Sequence, residues 1–171
     1  AGDLREKLTI ANLISATLDS FDRIDVLINA TRQVMPSNVL DADDKSVETL
    51  IEQNVMTKLR LSQLVAKRMI KQSEDSEAGQ AGAIVNLSSI AARRANPSLL
   101  GYSISTAALD QMTRSMAVAL APYKIRVNSV AFGSVMSASL REALKEHGDF
   151  RRDIEQHTPL GRVAPASEIA E

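Results

Sequence analysis

Residues 83–133 decide the fold of this chain, and they read AIVNLSSIAARRANPSLLGYSISTAALDQMTRSMAVALAPYKIRVNSVAFG. The stretch begins with a short apolar run, residues 83–87, which is typical of a strand buried on both faces of a sheet. Ser89 follows where that strand should end, and a helix is predicted to open at Tyr102. Residues 125–130 then predict a second parallel strand. Strands that alternate with helices in this way indicate an α/β protein.

Two polar side chains are placed by this pattern at one edge of the predicted sheet. Ligands of open α/β sheets bind at the carboxyl ends of the strands, which is where Ser89 lies. The segment between Ser89 and Tyr102 contains twelve residues. A loop of that length can return the tyrosine towards the strand end, so the two hydroxyl groups are candidates for one site.

The arrangement resembles the catalytic half of the short-chain dehydrogenase/reductase family. Members pair a serine after a strand with a tyrosine thirteen positions on and a lysine four positions later. Ser89 and Tyr102 match the first two, and Thr106 occupies the lysine position. A buried serine and tyrosine in an unrelated α/β domain is the alternative, but the combined spacing and the strand-like residues 125–133 favour the family.

The resemblance implies a three-layer, doubly wound, Rossmann-like parallel sheet of which this chain holds only part. Residues 1–171 are interpreted as one partial domain, the catalytic half, with strands four to six of the family and their flanking helices. The family's glycine-rich turn, first two βα units and final strand have no counterpart in the sequence.

The first residues match the part of the family that contacts adenine. There, an Asp followed by an aliphatic residue closes the third strand, and Asp3 and Leu4 fit this pattern in register with the aromatic Phe21. A helix N-cap is the alternative interpretation of Asp3. A helix is predicted up to Phe21 from apolar residues at helical spacing.

The next strand, residues 24–30, leads into Asn29-Ala30-Thr31-Arg32, where the family usually has Asn-Asn-Ala-Gly. The resemblance implies that Asn29 and Ala30 line the adenosine ribose. Thr31 and Arg32 crowd that approach, and Arg32 lacks glycine's tolerance of positive φ. A phosphate contact is open for Arg32, but solvation at the surface is the favoured interpretation.

Two further segments match the family by resemblance. A helix is predicted over residues 45–70, and Asn54 within it resembles the asparagine that supports a proton-relay water; a polar helix face is an equally favoured alternative. After the strand at residues 125–130, Gly133 matches a family glycine, Val135 is expected to present its backbone to the nicotinamide carboxamide, and Ser137 replaces a threonine. Residues 71–82 predict a surface loop, and residues 139–147 predict a short helix that resembles the family's substrate-covering lid.

Composition excludes several other classes of function. The formal net charge is −1 and aromatic residues make up 3% of the chain, so no basic, aromatic-rich surface for nucleic acid is indicated. There is no cysteine, and the two histidines, His147 and His157, lie in polar sequence and are interpreted as solvated, so no metal site is predicted. No apolar run is long enough to span a membrane, and a cytoplasmic location is expected.

The mechanism that the resemblance implies is hydride transfer between NAD or NADP and a small carbonyl or alcohol substrate. Tyr102 would exchange the proton with the substrate oxygen, and Ser89 would polarise it. A tyrosine hydroxyl ordinarily ionises near about pH 10, so a base near neutrality needs a nearby cation. Thr106 offers a hydroxyl but no charge, so the chain as written is expected to be inactive. A non-catalytic binding or assembly module of the same fold is the alternative.

Assembly is the last expectation. The helices at residues 45–70 and 102–120 resemble those that pair between family subunits, and a homodimer or homotetramer is predicted. The second helix carries small residues that allow close approach: Ala107, Ala108, Ser115 and Ala117. The apolar run at residues 26–28 predicts a strand with neighbours on both sides, so its free edge is expected to be covered.

Overall fold

The computed structural model describes residues 2–74, 79–146 and 150–169, which form two compact units, Ala1–Ala131 and Phe132–Glu171. The elements of the first unit are, in chain order, α1 (Lys7–Phe21), β1 (Val26–Asn29), α2 (Ser46–Ile51), a π-helical turn (Glu52–Met56), α3 (Thr57–Ser73), β2 (Gly82–Ser89), 3₁₀ turns at Ile90–Ala92 and Pro97–Leu99, α4 (Leu100–Leu120), a 3₁₀ turn at Ala121–Tyr123, and β3 (Ile125–Phe132).

The sheet of the first unit has the order β1-β2-β3, so β2 is the central strand. β1 and β2 are parallel, with Val26 opposite Ala83 and Asn29 opposite Asn86. Helices α3 and α4 both pack against this sheet. The predicted parallel α/β architecture is therefore confirmed. β1 corresponds to the strand predicted at residues 24–30, β2 to the run at residues 83–87 and β3 to the strand predicted at residues 125–130.

The core follows from the apolar periodicity of α3 and the continuous apolar run of β2. Leu61, Val65 and Met69 recur every four residues, which puts them on one helix face. They pack with apolar side chains from α1, from α3 itself, and from the strands and the residues that lead into them, namely Ile10, Ile24, Ala66, Ala81, Ile84, Ile125 and Val127. β2 is buried on both faces over most of its length, as its apolar sequence predicted.

Several predicted boundaries differ from the structure. α3 continues to Ser73, so the predicted loop over residues 71–82 begins later, and residues 75–78 lie outside the described part of the chain. β2 runs from Gly82 to Ser89 and is longer than the predicted run at residues 83–87, while Ser89 stands at the strand end, as expected. α4 begins at Leu100, two residues before Tyr102, because a 3₁₀ turn with Pro97 at its start leads directly into it.

β1 forms one edge of the sheet, and the described chain does not cover that edge. Val26 and Ile28 are 56% and 60% exposed, whereas Leu27 packs against the core. Successive side chains of a strand alternate between the faces, so Val26 and Ile28 share a face that no described element buries. The predicted cover of this edge is not provided by the described residues, and it stays a prediction about the assembled protein.

Helices α2 and α4 approach each other closely at Gly101. A Cβ atom on Gly101 would lie 3.0 Å from both the carbonyl carbon and the Oγ of Ser46. The backbone of α2 cannot move aside without disturbing its packing. The absence of a side chain at residue 101 is therefore what permits this helix contact.

Gly101→Ala is expected to lower the free energy of unfolding by about 1–2 kcal/mol. Overpacking of a close contact costs roughly 1–3 kcal/mol, and the better helix propensity of alanine offsets part of that. Urea denaturation measures the change. Gly79→Ala is the matched control, because a Cβ there meets nothing within 4 Å. Equal stability of the two variants would contradict the close approach of α2 and α4.

The second unit is built around a short parallel pair, β4 (Val135–Met136) and β5 (Ala164–Pro165). It also contains α5 (Ala138–Glu146), α6 (Phe150–His157) and a 3₁₀ turn at Ala166–Ile169. The predicted short helix over residues 139–147 corresponds to α5, while His147 lies outside the described residues. No described helix is long and apolar enough to cross a membrane.

Candidate active site

Tyr102 lies in the first turn of α4 with only 5% of its surface exposed. Its hydroxyl oxygen is 3.4 Å from the guanidinium nitrogen Nη1 of Arg32, which donates to it. Arg32 belongs to the loop after β1, seventy positions earlier in the chain. Arg32 is exposed, as the sequence favoured, and its guanidinium in addition reaches the phenol, which the sequence did not indicate.

Asn54 holds the loop that carries Arg32. Its Oδ1 accepts from the backbone N–H of Gln33 at 2.8 Å, and its Nδ2 donates to the Gln33 carbonyl at 2.8 Å. Nδ2 also lies 3.2 Å from the Oγ of Ser105 on α4. Asn54 is 2% exposed and sits within the π-helical turn, so it is not part of a solvated helix face. It ties the loop, the helix and α4 together beside Tyr102.

Lys58 is a charged residue that the sequence interpretation missed. It lies four positions after Asn54, is 3% exposed, and donates from Nζ to the carbonyl oxygen of Leu87 at 3.3 Å. Burial, and then the positive charge of Arg32, lower the pKa of Lys58 from 10.5 to about 8. The position of the lysine, four residues and so about one helical turn after Asn54, was the signal available in the sequence.

Ser89 stands at the end of the central strand with 7% of its surface exposed. Its Oγ accepts from the backbone N–H of Ala91 at 3.2 Å and so caps the 3₁₀ turn Ile90–Ala92. That turn packs against α4. The fold thus brings the serine's turn to the helix of Tyr102, as the spacing of the two residues predicted.

Thr106 turns its hydroxyl back into its own helix. Oγ1 donates to the carbonyl oxygens of Tyr102 at 2.9 Å and Ser103 at 3.1 Å, and the residue is 4% exposed. Such back-bonding is the usual fate of a threonine within a helix. Thr106 therefore supplies neither charge nor reach at the position where the family has lysine.

Asn29 is committed to a buried network rather than to an open cleft. Its Nδ2 donates to Oδ1 of Asn86 at 2.8 Å and lies 3.0 Å from the Oγ of Ser62. Nδ2 of Asn86 in turn donates to Oγ1 of Thr113 at 2.9 Å. The expected ribose contact is thus not available to the amide nitrogen of Asn29, whereas Ala30, the next residue, is exposed.

A pocket of about 320 Å³ joins the first residues of the chain to the loop after β1. Its lining includes Asp3 and Leu4 together with the exposed loop residues and the π-helical turn, namely Thr31, Arg32, Gln33, Gln53 and Asn54. The two residues that resemble the adenine contacts therefore share one cleft with Thr31 and Arg32, whereas Asn29 and Ala30, which resemble the ribose contacts, do not line it.

Asp3 does not cap α1, so the N-cap alternative is wrong. The helix begins at Lys7, and Glu6 occupies the N-cap position. The Asp3 carboxylate instead accepts from the backbone N–H of Arg5 at 2.9 Å and from its guanidinium. These hydrogen bonds from Arg5 hold the pKa of Asp3 below its ordinary value.

The remaining predicted cofactor residues lie in the second unit. Val135 is buried and pairs with Ala164, while Gly133 and Ser137 are half-buried. The Oγ of Ser137 accepts from the backbone N–H of Leu140 at 3.2 Å and so caps α5. Their contacts with a nicotinamide stay predictions. Among the described residues, no cluster of three or more acidic or histidine side chains could hold a metal ion.

Known proteins that this chain resembles include a dehydrogenase homolog, a reductase and a short-chain dehydrogenase/reductase of solved structure. Glucose and ribitol dehydrogenase homolog 2 of Arabidopsis thaliana is 30% identical over 175 residues, covering 99% of this chain and 55% of that protein. Carbonyl reductase (NADPH) 2 of Sus scrofa is 30% identical over 146 residues, covering 85% and 57%. The crystal structure of a short-chain type dehydrogenase/reductase from Mycobacterium marinum superposes with a TM-score of 0.84 at 25% identity, covering 98% and 63%.

The extent of these matches is as informative as their identity. The chain spans 55 to 62% of the length of the first curated relatives it matches. The family model described as enoyl-(acyl carrier protein) reductase matches residues 1–171, the entire sequence. The match of the whole chain, the shared fold and the strand-end serine and helix tyrosine agree: this chain belongs to the short-chain dehydrogenase/reductase family.

Proposed function

We propose that the protein is an NAD(P)-dependent oxidoreductase that interconverts a small carbonyl compound and its alcohol. The observation that carries the proposal is the buried phenol of Tyr102 with a guanidinium 3.4 Å from its oxygen. A phenol beside a cation can give a proton to a carbonyl oxygen or take one from an alcohol. The names of the relatives, a carbonyl reductase and a sugar and polyol dehydrogenase homolog, support the substrate class.

The residues expected to hold the adenosine fit a nicotinamide dinucleotide well, whereas the residue expected to hold the nicotinamide ribose does not. Asp3 and Leu4 line one pocket with Thr31, which suits an adenosine held at the sheet edge. Thr106, in contrast, is too short to hold a nicotinamide ribose, and its hydroxyl is engaged by helix carbonyls. When bound, the nicotinamide supplies or accepts the hydride.

The chain's own residues would handle the proton. Tyr102 would hold it at Oη, and Ser89 at the end of β2 would polarise the substrate oxygen. Asn54 fixes the loop of Arg32 by two hydrogen bonds to Gln33 and in this proposal would support a proton relay. The low exposure of Tyr102 and Asn54 keeps bulk water from competing for these groups.

The test is turnover in the protein with whatever sequence flanks residues 1–171 naturally. Ketones and secondary alcohols are assayed with NADH, NADPH and their oxidised forms. Tyr102→Phe is expected to lose roughly 100-fold or more in kcat, the usual contribution of a positioned general acid. Tyr123→Phe, at an exposed tyrosine, is the matched control and should leave kcat unchanged. Turnover that survives Tyr102→Phe would contradict the proposed role.

A non-catalytic binding or assembly module is the second candidate. It is favoured by the hydroxyls of Ser89 and Thr106, which are both engaged in local backbone hydrogen bonds. The two candidates differ in the same assay. A protein that is folded but turns over none of the assayed substrates, with or without the Tyr102→Phe change, supports the module.

Residues 1–171 on their own are expected neither to bind a nicotinamide cofactor tightly nor to turn over carbonyl substrates. The sequence contains no glycine-rich turn to hold the pyrophosphate, and Thr106 replaces the ribose-binding lysine. Fluorescence titration with NADH and NADPH, followed by a ketone panel, measures this. Micromolar binding with turnover would contradict it. A gain of turnover in Thr106→Lys but not in Thr106→Ser, within the natural protein, would identify Thr106 as the main defect.

Assembly through the helices α2, α3 and α4 is also proposed. The outward face of α4 exposes Ile104 and Val118, which are 40% and 78% exposed, with the small side chains of Ala107 and Ser115 between them. Light scattering at high micromolar concentration is expected to give at least a dimer, and Val118→Glu is expected to weaken it. Leu8→Glu, at an exposed position of α1, is the control. A monomer at that concentration would rule this assembly out.

A further inference from the structure

We propose that Arg32 supplies, from the loop after β1, the positive charge at Tyr102 that Thr106 cannot supply from α4. Arg32 is then a catalytic residue of the oxidoreductase, because its guanidinium contacts the oxygen that exchanges the proton. The catalytic role of Arg32 rests on the proposed function, whereas the contact between Arg32 and Tyr102 can be tested without turnover.

The geometry places the guanidinium at hydrogen-bond distance from the phenol oxygen. Nη1 of Arg32 lies 3.4 Å from Oη of Tyr102 and donates to it. A negative charge that forms on this oxygen would have a full positive charge at contact distance. Such a pairing favours the ionised form of an acid.

The loop that carries Arg32 is held in place at the next residue, Gln33. Both backbone groups of Gln33 are bound by the side chain of the buried Asn54, each at 2.8 Å. This pairing removes the rotational freedom that a surface loop would otherwise keep next to Arg32. Asn54 is accordingly a positioning residue for Arg32, since it acts on the loop and has no recorded contact with the phenol among the described residues.

Lys58 is a second cation on which the charge of Arg32 acts. Burial, and then the charge of Arg32, lower the pKa of Lys58. Nζ of Lys58 donates to the carbonyl oxygen of Leu87 at 3.3 Å, in the strand that ends at Ser89.

The other charged groups near this part of α4 are engaged elsewhere. Glu52 on the π-helical turn pairs with Arg60 at 2.6 Å, and Glu48 on α2 lies 4.0 Å from Lys45. Asp110, further along α4, lies 3.4 Å from the Oγ of Ser129. Arg93 and Arg94 follow the 3₁₀ turn that packs on α4, and both are exposed. Among the described residues, Arg32 is the charged group recorded at hydrogen-bond distance from the phenol.

In the proposed reaction, Tyr102 supplies the proton of the product alcohol. The O–H bond of Tyr102 breaks and the O–H bond of the product alcohol forms, as hydride adds to the carbonyl carbon in the proposed reaction. The phenolate left on Tyr102 lies beside Arg32 until a proton from solvent restores it. In the opposite direction the phenolate removes the proton of the alcohol. Neither direction requires a charge on residue 106.

The test follows the ionisation of Tyr102 by tyrosinate absorbance in the natural protein without cofactor. The difference between the protein and its Tyr102→Phe variant isolates this tyrosine. Arg32→Gln is expected to move the absorbance transition to higher pH, and Arg32→Lys is expected to restore most of the shift. Arg94→Gln is the matched control, because this arginine is exposed and should leave the transition in place. Circular dichroism verifies that each variant is folded.

A second readout separates this inference from the proposed function. With an active substrate, Arg32→Gln is expected to lower kcat roughly 100-fold near neutral pH and to shift the pH profile upward, and adding Thr106→Lys should recover part of the loss. A shifted absorbance transition without turnover supports the contact and overturns the proposed function. Tyr102-dependent turnover with an unmoved transition in Arg32→Gln overturns the role of Arg32 and leaves the function standing.

Discussion

Replacing Lys58 with methionine is expected to raise the free energy of unfolding by about 2–3 kcal/mol at neutral pH. The pKa of Lys58 falls from 10.5 to about 8 on folding, because the ammonium is buried and lies near Arg32. Each unit of such a shift corresponds to about 1.4 kcal/mol. Methionine keeps the apolar stem and removes the buried charge, although it also removes a hydrogen bond to Leu87 worth about 1 kcal/mol.

The sign of the pH dependence follows from the direction of the shift. Below about pH 8, Lys58 is charged in both states, so the native state carries the full cost of the buried charge. Between about pH 8 and 10.5 the unfolded chain binds the proton and the folded chain does not, so stability rises with pH over this window. The advantage of Lys58→Met is therefore complete at pH 7 and fades as the pH approaches 10.5.

Urea denaturation at pH 7 and at pH 9.5 measures both parts of this prediction. Lys67→Met is the matched control, because Lys67 lies on the same helix but is exposed, and its replacement should stay within about 0.5 kcal/mol. A Lys58→Met protein that is less stable than the parent at pH 7 would show that the ammonium is better compensated than its surroundings indicate. A stabilised variant with impaired turnover would instead show that the charge is kept for the site.

Replacing Asn86 with leucine is expected to lower the free energy of unfolding by about 2–4 kcal/mol. Asn86 is fully buried in the central strand and links Asn29 of β1 to Thr113 of α4, at 2.8 and 2.9 Å. Leucine has a similar size but leaves both partners without this link. A buried polar group that loses its partner costs roughly 1–3 kcal/mol.

A control variant and a double-mutant cycle test this prediction. Asn128→Leu, at an exposed position of β3, should change stability by no more than about 0.5 kcal/mol. Combining Asn86→Leu with Thr113→Val should cost less than the sum of the single changes, because the orphaned hydroxyl is removed. Additive losses would show that the network does not act as a unit.

The local pattern of the sequence determined the elements and the family. The apolar run of residues 83–87 predicted the buried central strand, since a strand covered on both faces needs apolar side chains in succession. The spacing of Ser89 and Tyr102 indicated the family because that spacing is set by one loop and one helix turn. These features depend on neighbouring residues, and the structure and the matched relatives agree with them.

Tertiary structure alone decided how the polar groups of the site are used. Arg32 meets Tyr102 across seventy positions, and Asn29 meets Asn86 across fifty-seven. No periodicity in the sequence encodes such pairs, because they depend on which strands are neighbours and on where a loop is tied down. Asn29 resembled a ribose contact in its local motif, yet the register of β1 against β2 places it opposite Asn86, where burial favours pairing of the two amides. Lys58 likewise acquires its lowered pKa from the chain that surrounds it, because its desolvation and its proximity to the charge of Arg32 arise only in the folded protein.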